Sequence, residues 1–386
     1  MKKVLFYNGS LRMGGIERVL VEVLQNIDRS KMSIDLIIED GIKSLNVFEK
    51  DIPKDIKIYY LKPEELIQKT DFYRKNKKNI FYKIMYNIMM NYEGYIKRKN
   101  LKEITKGQNY DVVIDFDMGL SKYIESIKAK KKTTWIHSSI ENWYIKKSRI
   151  KRLGKRLKNY DKIVVICDEM KKETEKIFPF LKEKLIRIYN PFNFERIIKE
   201  SEQLEEKYKE YLKTNFIVSV MRLTENSKDF DTLINAWKLL EKKGINIILY
   251  ILGEGSDRKN IEEKIKNARQ EKRIILIGNV KNPYPWIKNS RILVHSSKFE
   301  GLPTILIEAL ILEKIVISSN CLTGPKEILM NGEIGYLYEI GDYKKLSELI
   351  IENLEMNEIK NGKIKKGIER FNKEVVMKEY EKFILE

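Results

Sequence analysis

Phe216-Ile217-Val218-Ser219-Val220-Met221-Arg222 opens a second α/β pattern in this chain. The run 216–221 is short, apolar and rich in β-branched residues, and an amphipathic stretch follows it, so it reads as the first strand of a parallel βα series. Working downstream, the alternation predicts further strands at 246–252, 273–277, 292–295 and 315–318. Upstream, an earlier series predicts strands at 4–8, 34–39, 56–61, 111–115, 133–137, 162–167 and 185–189. The two series are separated by Asn190-Pro191 and a Glu/Lys-rich stretch that ends near Lys213, whose clearest signal is one exposed helix. Pro191 cannot continue a strand interior. The expected organisation is therefore a domain at 1–190, a linker at 191–213, a second domain at 214–370 and a helix at 371–386 packing back on the first domain. Both domains read as doubly wound α/β folds, which bind ligands at the carboxyl ends of their strands.

The 386 residues suit two domains, and 42% hydrophobic residues can build cores for both. Two cysteines, Cys167 and Cys321, exclude a disulfide framework or a four-cysteine zinc site, and two histidines make a His-rich metal centre an unlikely design. No apolar run approaches the ~20 residues of a membrane-spanning helix, and no signal-peptide core is present. These features lead us to expect a cytoplasmic protein without a metal.

The net charge of +19 calls for an anionic partner: nucleic acid, a membrane surface or a phosphorylated substrate. It is distributed unevenly. Residues 1–190 hold 42 Lys and Arg against 25 Asp and Glu, whereas residues 191–386 hold 33 against 31. Within the first half, 71–102 carries nine basic residues and seven aromatics, and 146–158 carries eight basic residues and no acidic one. Phe81, Ile84, Met85, Ile88, Met89 and Tyr92 recur at helical spacing among those lysines. Such a stripe either packs into the core beneath solvated lysines or faces an anionic lipid surface.

Three motifs could carry chemistry. Gly14-Gly15-Ile16-Glu17 follows the first strand and opens a helix, where glycines admit a close ligand and free N–H groups face an anion. It is not the dinucleotide-binding glycine fingerprint. Arg222 and Lys228 leave the strand 216–221 together and could clamp a diphosphate. Phe299-Glu300-Gly301-Leu302-Pro303-Thr304 precedes a helix carrying Glu308; Thr304 is placed to cap it, and Glu308 sits among Leu306, Ile307 and Ala309, where an unpaired carboxylate is costly.

In this order and spacing the motifs resemble those of GT-B-fold retaining glycosyltransferases of family 4, and the resemblance spans almost the whole chain. Glu300 and Glu308 match the family's Glu-x7-Glu pair, Arg222 and Lys228 its Arg-x5-Lys clamp, and Gly14-Gly15-Ile16-Glu17 its N-terminal loop. Ile251-Leu252-Gly253-Glu254-Gly255, Gly278-Asn279-Val280 and Thr323-Gly324-Pro325-Lys326-Glu327 stand where the family has nucleotide loops. The resemblance implies two Rossmann-like domains facing a central cleft, a UDP-sugar donor held mainly by the second domain, and an acceptor held by the first. It implies roles as well. Arg222 and Lys228, helped by N–H groups at Gly15 and near Thr304, would neutralise the leaving diphosphate. Gly253, Val280, Gly301 and Leu302 would line the nucleotide-sugar site, Glu308 would hold the ribose hydroxyls, and Glu300 would lie beside the donor sugar. His137, at a strand end in Trp135-Ile136-His137, resembles the family's active-site histidine; otherwise it is a satisfied core residue.

No carboxylate can be assigned as a covalent nucleophile, which favours front-face transfer. Asp229 departs from the family, where Gly or Asn follows the clamp lysine, and 71–102 matches no motif and is where acceptor determinants are expected. The leading expectation is transfer of a hexose or N-acetylhexosamine from a UDP-sugar to a lipid-linked saccharide or other saccharide acceptor of a bacterial surface glycan, at the inner face of the cell membrane. A GT-B epimerase or disaccharide synthase with a soluble acceptor is the alternative. A nucleic-acid-binding protein leaves the Glu300–Glu308 helix and the near-neutral second half unexplained, so no nucleic-acid partner is expected.

Overall fold

A computed structural model describes residues 1–143, 146–354 and 361–386. The chain forms two compact units: Met1–Ile166, Lys171–Phe192 and Glu374–Glu386 in the first, and Cys167–Met170 with Asn193–Lys373 in the second.

The first unit is built on seven parallel strands: β1 Lys2–Asn8, β2 Met32–Asp40, β3 Lys57–Lys62, β4 Tyr110–Asp115, β5 Ala129–Ile136, β6 Lys162–Val165 and β7 Leu185–Arg187. They lie in the order β3-β2-β1-β4-β5-β6-β7. The centre of the sheet is covered on both faces: Val4, Leu5, Phe6 and Tyr7 are all fully buried, which is why these strands read as apolar runs rather than alternations. The helix Lys373–Leu385 joins this unit. Its Tyr380 ring stacks on Trp135 at 5.6 Å, and Trp135 Nε1 donates to the Tyr380 hydroxyl at 3.1 Å.

The second unit has six parallel strands: β8 Phe216–Val220, β9 Ile248–Leu252, β10 Ile274–Gly278, β11 Ile292–His295, β12 Ile315–Ser319 and β13 Tyr336–Tyr338, in the order β10-β9-β8-β11-β12-β13. Strand β13 was not expected, because three residues are too few to show a period. The stretch expected as a linker is instead packed into this unit. Helix Phe194–Glu200 buries Ile197, and Tyr208 and Tyr211 lie 5.2 and 5.8 Å from the buried Trp286 ring. Its Glu/Lys composition hid these aromatic anchors. Among the described residues no helix is long and apolar enough to cross a membrane.

In each sheet one pair of neighbouring strands sends its connections in opposite directions. These pairs are β1 and β4 in the first sheet and β8 and β11 in the second. The loops leaving their carboxyl ends diverge and open a crevice, the usual ligand position in such sheets.

Candidate active site

The loops that follow β8 and β11 are stitched together. Lys228 and Ser297 form an isolated antiparallel bridge, Lys298 N–H donates to Ser227 O at 2.8 Å, and Asp229 N–H donates to Ser296 O at 3.1 Å. This places Lys228 against Glu300. One carboxylate oxygen of Glu300, Oε1, accepts from Lys228 Nζ, from Ser297 Oγ at 2.8 Å and from His295 Nε2 at 3.1 Å. Burial lowers the His295 pKa and favours the neutral imidazole, Nε2 faces the Glu300 carboxylate as donor, and Nδ1 lies 2.9 Å from the Ser318 hydroxyl. Burial alone would raise the Glu300 pKa, but Lys228 and His295 overcome it and hold the group below the ordinary carboxylate range. Among the described residues nothing bonds Glu300 Oε2. The sequence reading missed His295; its signal was a histidine at a strand end, five residues before Glu300.

Arg222 is exposed and forms no ion pair among the described residues. Its loop is set by two glycines across the sheet. Gly253 has φ +137, and a Cβ there would lie 2.0 Å from Met221 O; a Cβ at Gly255 would lie 2.2 Å from Leu223 O. The backbones on either side of Arg222 thus touch the loop after β9. Val280 is half-buried in the loop after β10, beyond Gly278 at φ +91.

After Glu300 the chain passes Gly301 and Leu302, both buried, into the helix Thr304–Ile311. Pro303 is its N-cap and no side chain caps it, so Thr304 is the first helical residue rather than the expected cap. The backbone is held from outside: Thr323 Oγ1 donates to Glu300 O at 2.5 Å, and Gly324, at φ +96, leaves no room for a Cβ beside Gly301 O. Glu308 is buried on this helix, with the Tyr284 hydroxyl 3.5 Å from its Oε1. Asp229 is committed to the helix that follows. It caps the helix Phe230–Lys242, accepting from Thr232 N–H at 3.1 Å and Thr232 Oγ1 at 2.6 Å.

In the first unit, Gly14 is the N-cap of the helix Gly15–Asn26, and no side chain caps this end either. Neither glycine is demanded by a left-handed backbone. A Cβ at Gly14 would meet only the Glu17 carboxylate, and one at Gly15 would meet nothing within 4 Å. His137 lies just past β5 with Nε2 2.8 Å from Phe116 O, and burial pulls its pKa down to about 4. Near neutral pH it is a neutral imidazole that donates to a backbone carbonyl, which leaves its Nδ1 as an acceptor.

Asp115, at the end of β4, is fully buried, and burial followed by the Asp117 charge raises its pKa to about 8. A carboxyl raised in this way binds a proton in the folded chain that the unfolded chain has released, so its contribution to stability is present below about pH 4 and lost as pH rises towards 8. Asp115→Asn removes this group, and urea titrations between pH 6 and pH 8.5 should then lack the wild-type decline of up to ~1.4 kcal/mol per pH unit. An unchanged slope would refute the assignment.

The basic helix Ile80–Thr105 has two faces. Met89, Glu93, Lys97 and Leu101 are buried, whereas Phe81, Ile84, Ile88, Tyr92 and Tyr95 are exposed along one side. The predicted stripe is thus split. Met89 packs inward and Met85 is half-buried, but most of its large apolar residues are uncovered.

Residues 200–370 match the family model described as Glycosyl transferases group 1. Over these residues the chain is similar to the glycosyl transferases group 1 family. They coincide with most of the second unit, and all the motif residues after β8 fall within them. The chain is 31% identical over 258 residues to an uncharacterized glycosyltransferase of Methanocaldococcus jannaschii, covering 58% of this chain and 63% of that one. It is 29% identical to the capsular polysaccharide biosynthesis glycosyltransferase CapM of Staphylococcus aureus over 50% of this chain and 52% of that one. The chain therefore spans somewhat more than half the length of these two relatives. A Campylobacter jejuni α-1,4-N-acetyl-D-galactosaminyltransferase, named for a GalNAc-containing diphospho-undecaprenol-linked saccharide, is 26% identical over 94% of this chain and 93% of its own. Among solved structures, Anabaena HepE in complex with UDP and glucose superposes with a TM-score of 0.71 at 15% identity, each chain fully covered. Staphylococcus aureus TarM superposes with a TM-score of 0.73 at 14% identity, again with full coverage. The matched stretch thus lies in a chain with two parallel-sheet α/β domains, the fold of these GT-B structures.

Proposed function

We propose that this glycosyltransferase moves a hexose or N-acetylhexosamine from a UDP-sugar to a lipid-linked saccharide of a bacterial surface glycan, with retention of configuration, at the inner face of the membrane. The observation that carries the reading is the cation pair beyond β8. Arg222 is exposed without a counter-ion among the described residues, and Lys228 is held beside Glu300 at the strand divergence. Two cations with uncapped helix N–H groups nearby suit a departing diphosphate without a metal. The bond from the anomeric carbon to the β-phosphate oxygen breaks with its electron pair on UDP, the acceptor oxygen bonds the same carbon face, and the hydroxyl proton passes to the leaving phosphate. Glu300 suits charge stabilisation, because Lys228, Ser297 and His295 hold its ionised form through Oε1 and leave Oε2 as an acceptor. The UDP and glucose in the HepE complex and the diphospho-undecaprenol in the Campylobacter relative's name support the choice of donor and acceptor.

The membrane half of the reading rests on the exposed face of Ile80–Thr105. Large apolar side chains flanked by Lys77, Lys78, Lys83 and Arg98 match an anionic lipid surface. A panel of UDP- and GDP-sugars scored by thermal shift, then by transfer to undecaprenyl-diphosphate-linked saccharides, tests the chemistry. Protection and transfer with a UDP-sugar are expected, and no nucleotide protection would overturn the reading. In flotation, the chain should bind anionic vesicles over neutral ones, and Ile84→Glu with Ile88→Glu should abolish this without lowering the melting temperature. Equal binding to both vesicle types removes the membrane surface from the proposal.

A further inference from the structure

We infer that Asp117 receives a hydroxyl of the acceptor saccharide. The inference rests on the function proposed above and adds a residue of the first unit to it. The first sheet has its divergence between β1 and β4, and Asp117 stands there, two residues beyond β4. Its carboxylate joins the two diverging loops: Oδ2 accepts from Gly9 N–H at 2.7 Å and Oδ1 from Gly119 N–H at 3.0 Å. Both donors are glycines for a reason of space. A Cβ at Gly9 would lie 2.7 Å from Asp117 Oδ2, and one at Gly119 would lie 2.5 Å from the Tyr7 ring and 2.9 Å from Asp117 Oδ1. The backbone is shaped to reach this carboxylate. Gly119 is fixed in turn by Lys97, whose buried ammonium donates to Gly119 O at 2.9 Å, to the Tyr7 hydroxyl at 3.0 Å and to Glu39.

Asp117 forms no ion pair among the described residues and is only half-buried, so each oxygen keeps acceptor capacity after its single N–H bond. Burial, with a smaller push from Glu39, raises its pKa to about 6 against the two N–H bonds and the Lys97 charge. It is therefore mainly ionised near neutrality. Tyr7, Asp115 and Tyr160 also face it. A partly desolvated carboxylate with no cation of its own, aimed from a strand end, suits neutral hydrogen-bond donors, and the hydroxyls of a saccharide are that class. Its charge disfavours any diphosphate beside it, so it suits the saccharide end of the acceptor rather than a phosphate-bearing part of either substrate.

The test uses the full-length protein and the undecaprenyl-diphosphate-linked saccharide that wild type accepts. Asp117→Asn should lower kcat/KM for that acceptor by roughly 10- to 100-fold, mainly through acceptor KM, with UDP protection and the donor KM unchanged. An acceptor kcat/KM within about twofold of wild type would sink the inference. If Asp117→Asn melts below the assay temperature, Asp117→Glu, which moves the carboxylate by one methylene, decides instead: a raised acceptor KM supports the assignment and a wild-type one overturns it. Failure of wild type to be protected by UDP or to turn over any acceptor strikes the proposed function itself, and so is distinguishable.

Discussion

Arg222→Ala should cut sugar transfer by roughly 100- to 1000-fold and leave the melting temperature where it is. The arginine is exposed and unpaired among the described residues, so its removal disturbs no packing, and the fold should change by no more than about 0.5 kcal/mol. The rate falls because one of two cations facing the leaving diphosphate is gone, and a lost preorganised donor of this kind costs about 3 kcal/mol of transition-state stabilisation. Lys228→Ala should lose transfer to a similar degree and stability as well. Only 14% of its side chain is exposed and 18% of that of Glu300, so deletion strands a carboxylate that had kept its charge through Lys228. Removing one partner of such a pair costs about 3 kcal/mol. The pair of variants is read by calorimetry beside kinetics. Equal melting temperatures for both would show that Lys228 supports nothing but the ligand, and full activity in Arg222→Ala would remove the arginine from the mechanism.

Gly253→Ala is expected to be the most damaging single methyl group in the second unit. The new Cβ would need to sit 2.0 Å from Met221 O, and φ +137 is a region that residues with side chains rarely adopt. Relief requires the loop after β8 to move, so stability should fall by about 2 to 4 kcal/mol. The residue next to the clash is Arg222. A displacement near 1 Å there should cost on the order of 100-fold in transfer in whatever fraction stays folded. Gly244→Ala is the control. Its φ is +72 but nothing lies within 4 Å of the added carbon, so it should lose about 1 kcal/mol and no activity. Matching losses in the two variants would mean that loop geometry around Arg222 has no bearing on transfer.

The strands were legible because both sheets are covered on both faces, which turns Val4–Tyr7 into an unbroken apolar run and leaves Phe216–Val220 apolar but for the buried Ser219. The spacing that set Lys228 and Glu300 in one expected site is matched by their contact in the fold. What stayed hidden were facts that depend on a neighbour distant in sequence. The Glu/Lys-rich stretch before β8 looked like a linker until Trp286 supplied a surface for Tyr208 and Tyr211. Thr304 looked like a cap because its side chain is a good one, yet the chain turns at Pro303. Asp229 looked like an intruder among phosphate-binding residues, and its carboxylate proved to be committed to Thr232. His295 went unmarked because a histidine at a strand end is a weak signal until the fold brings it against Glu300.

The contact between Lys228 and Glu300 bears on which anions the protein takes up. Lys228 already has a counter-charge of its own, so an anion approaching this loop competes with a carboxylate that the fold holds against it. Inorganic phosphate or a bare nucleotide would release the lysine only by leaving Glu300 without its principal partner. A nucleotide that arrives with a sugar attached can offer Glu300 a hydroxyl in exchange. On the proposed function, discrimination between full donor and spent nucleotide would arise from a trade of partners inside the loop, with the same carboxylate reclaiming its lysine once the sugar has gone.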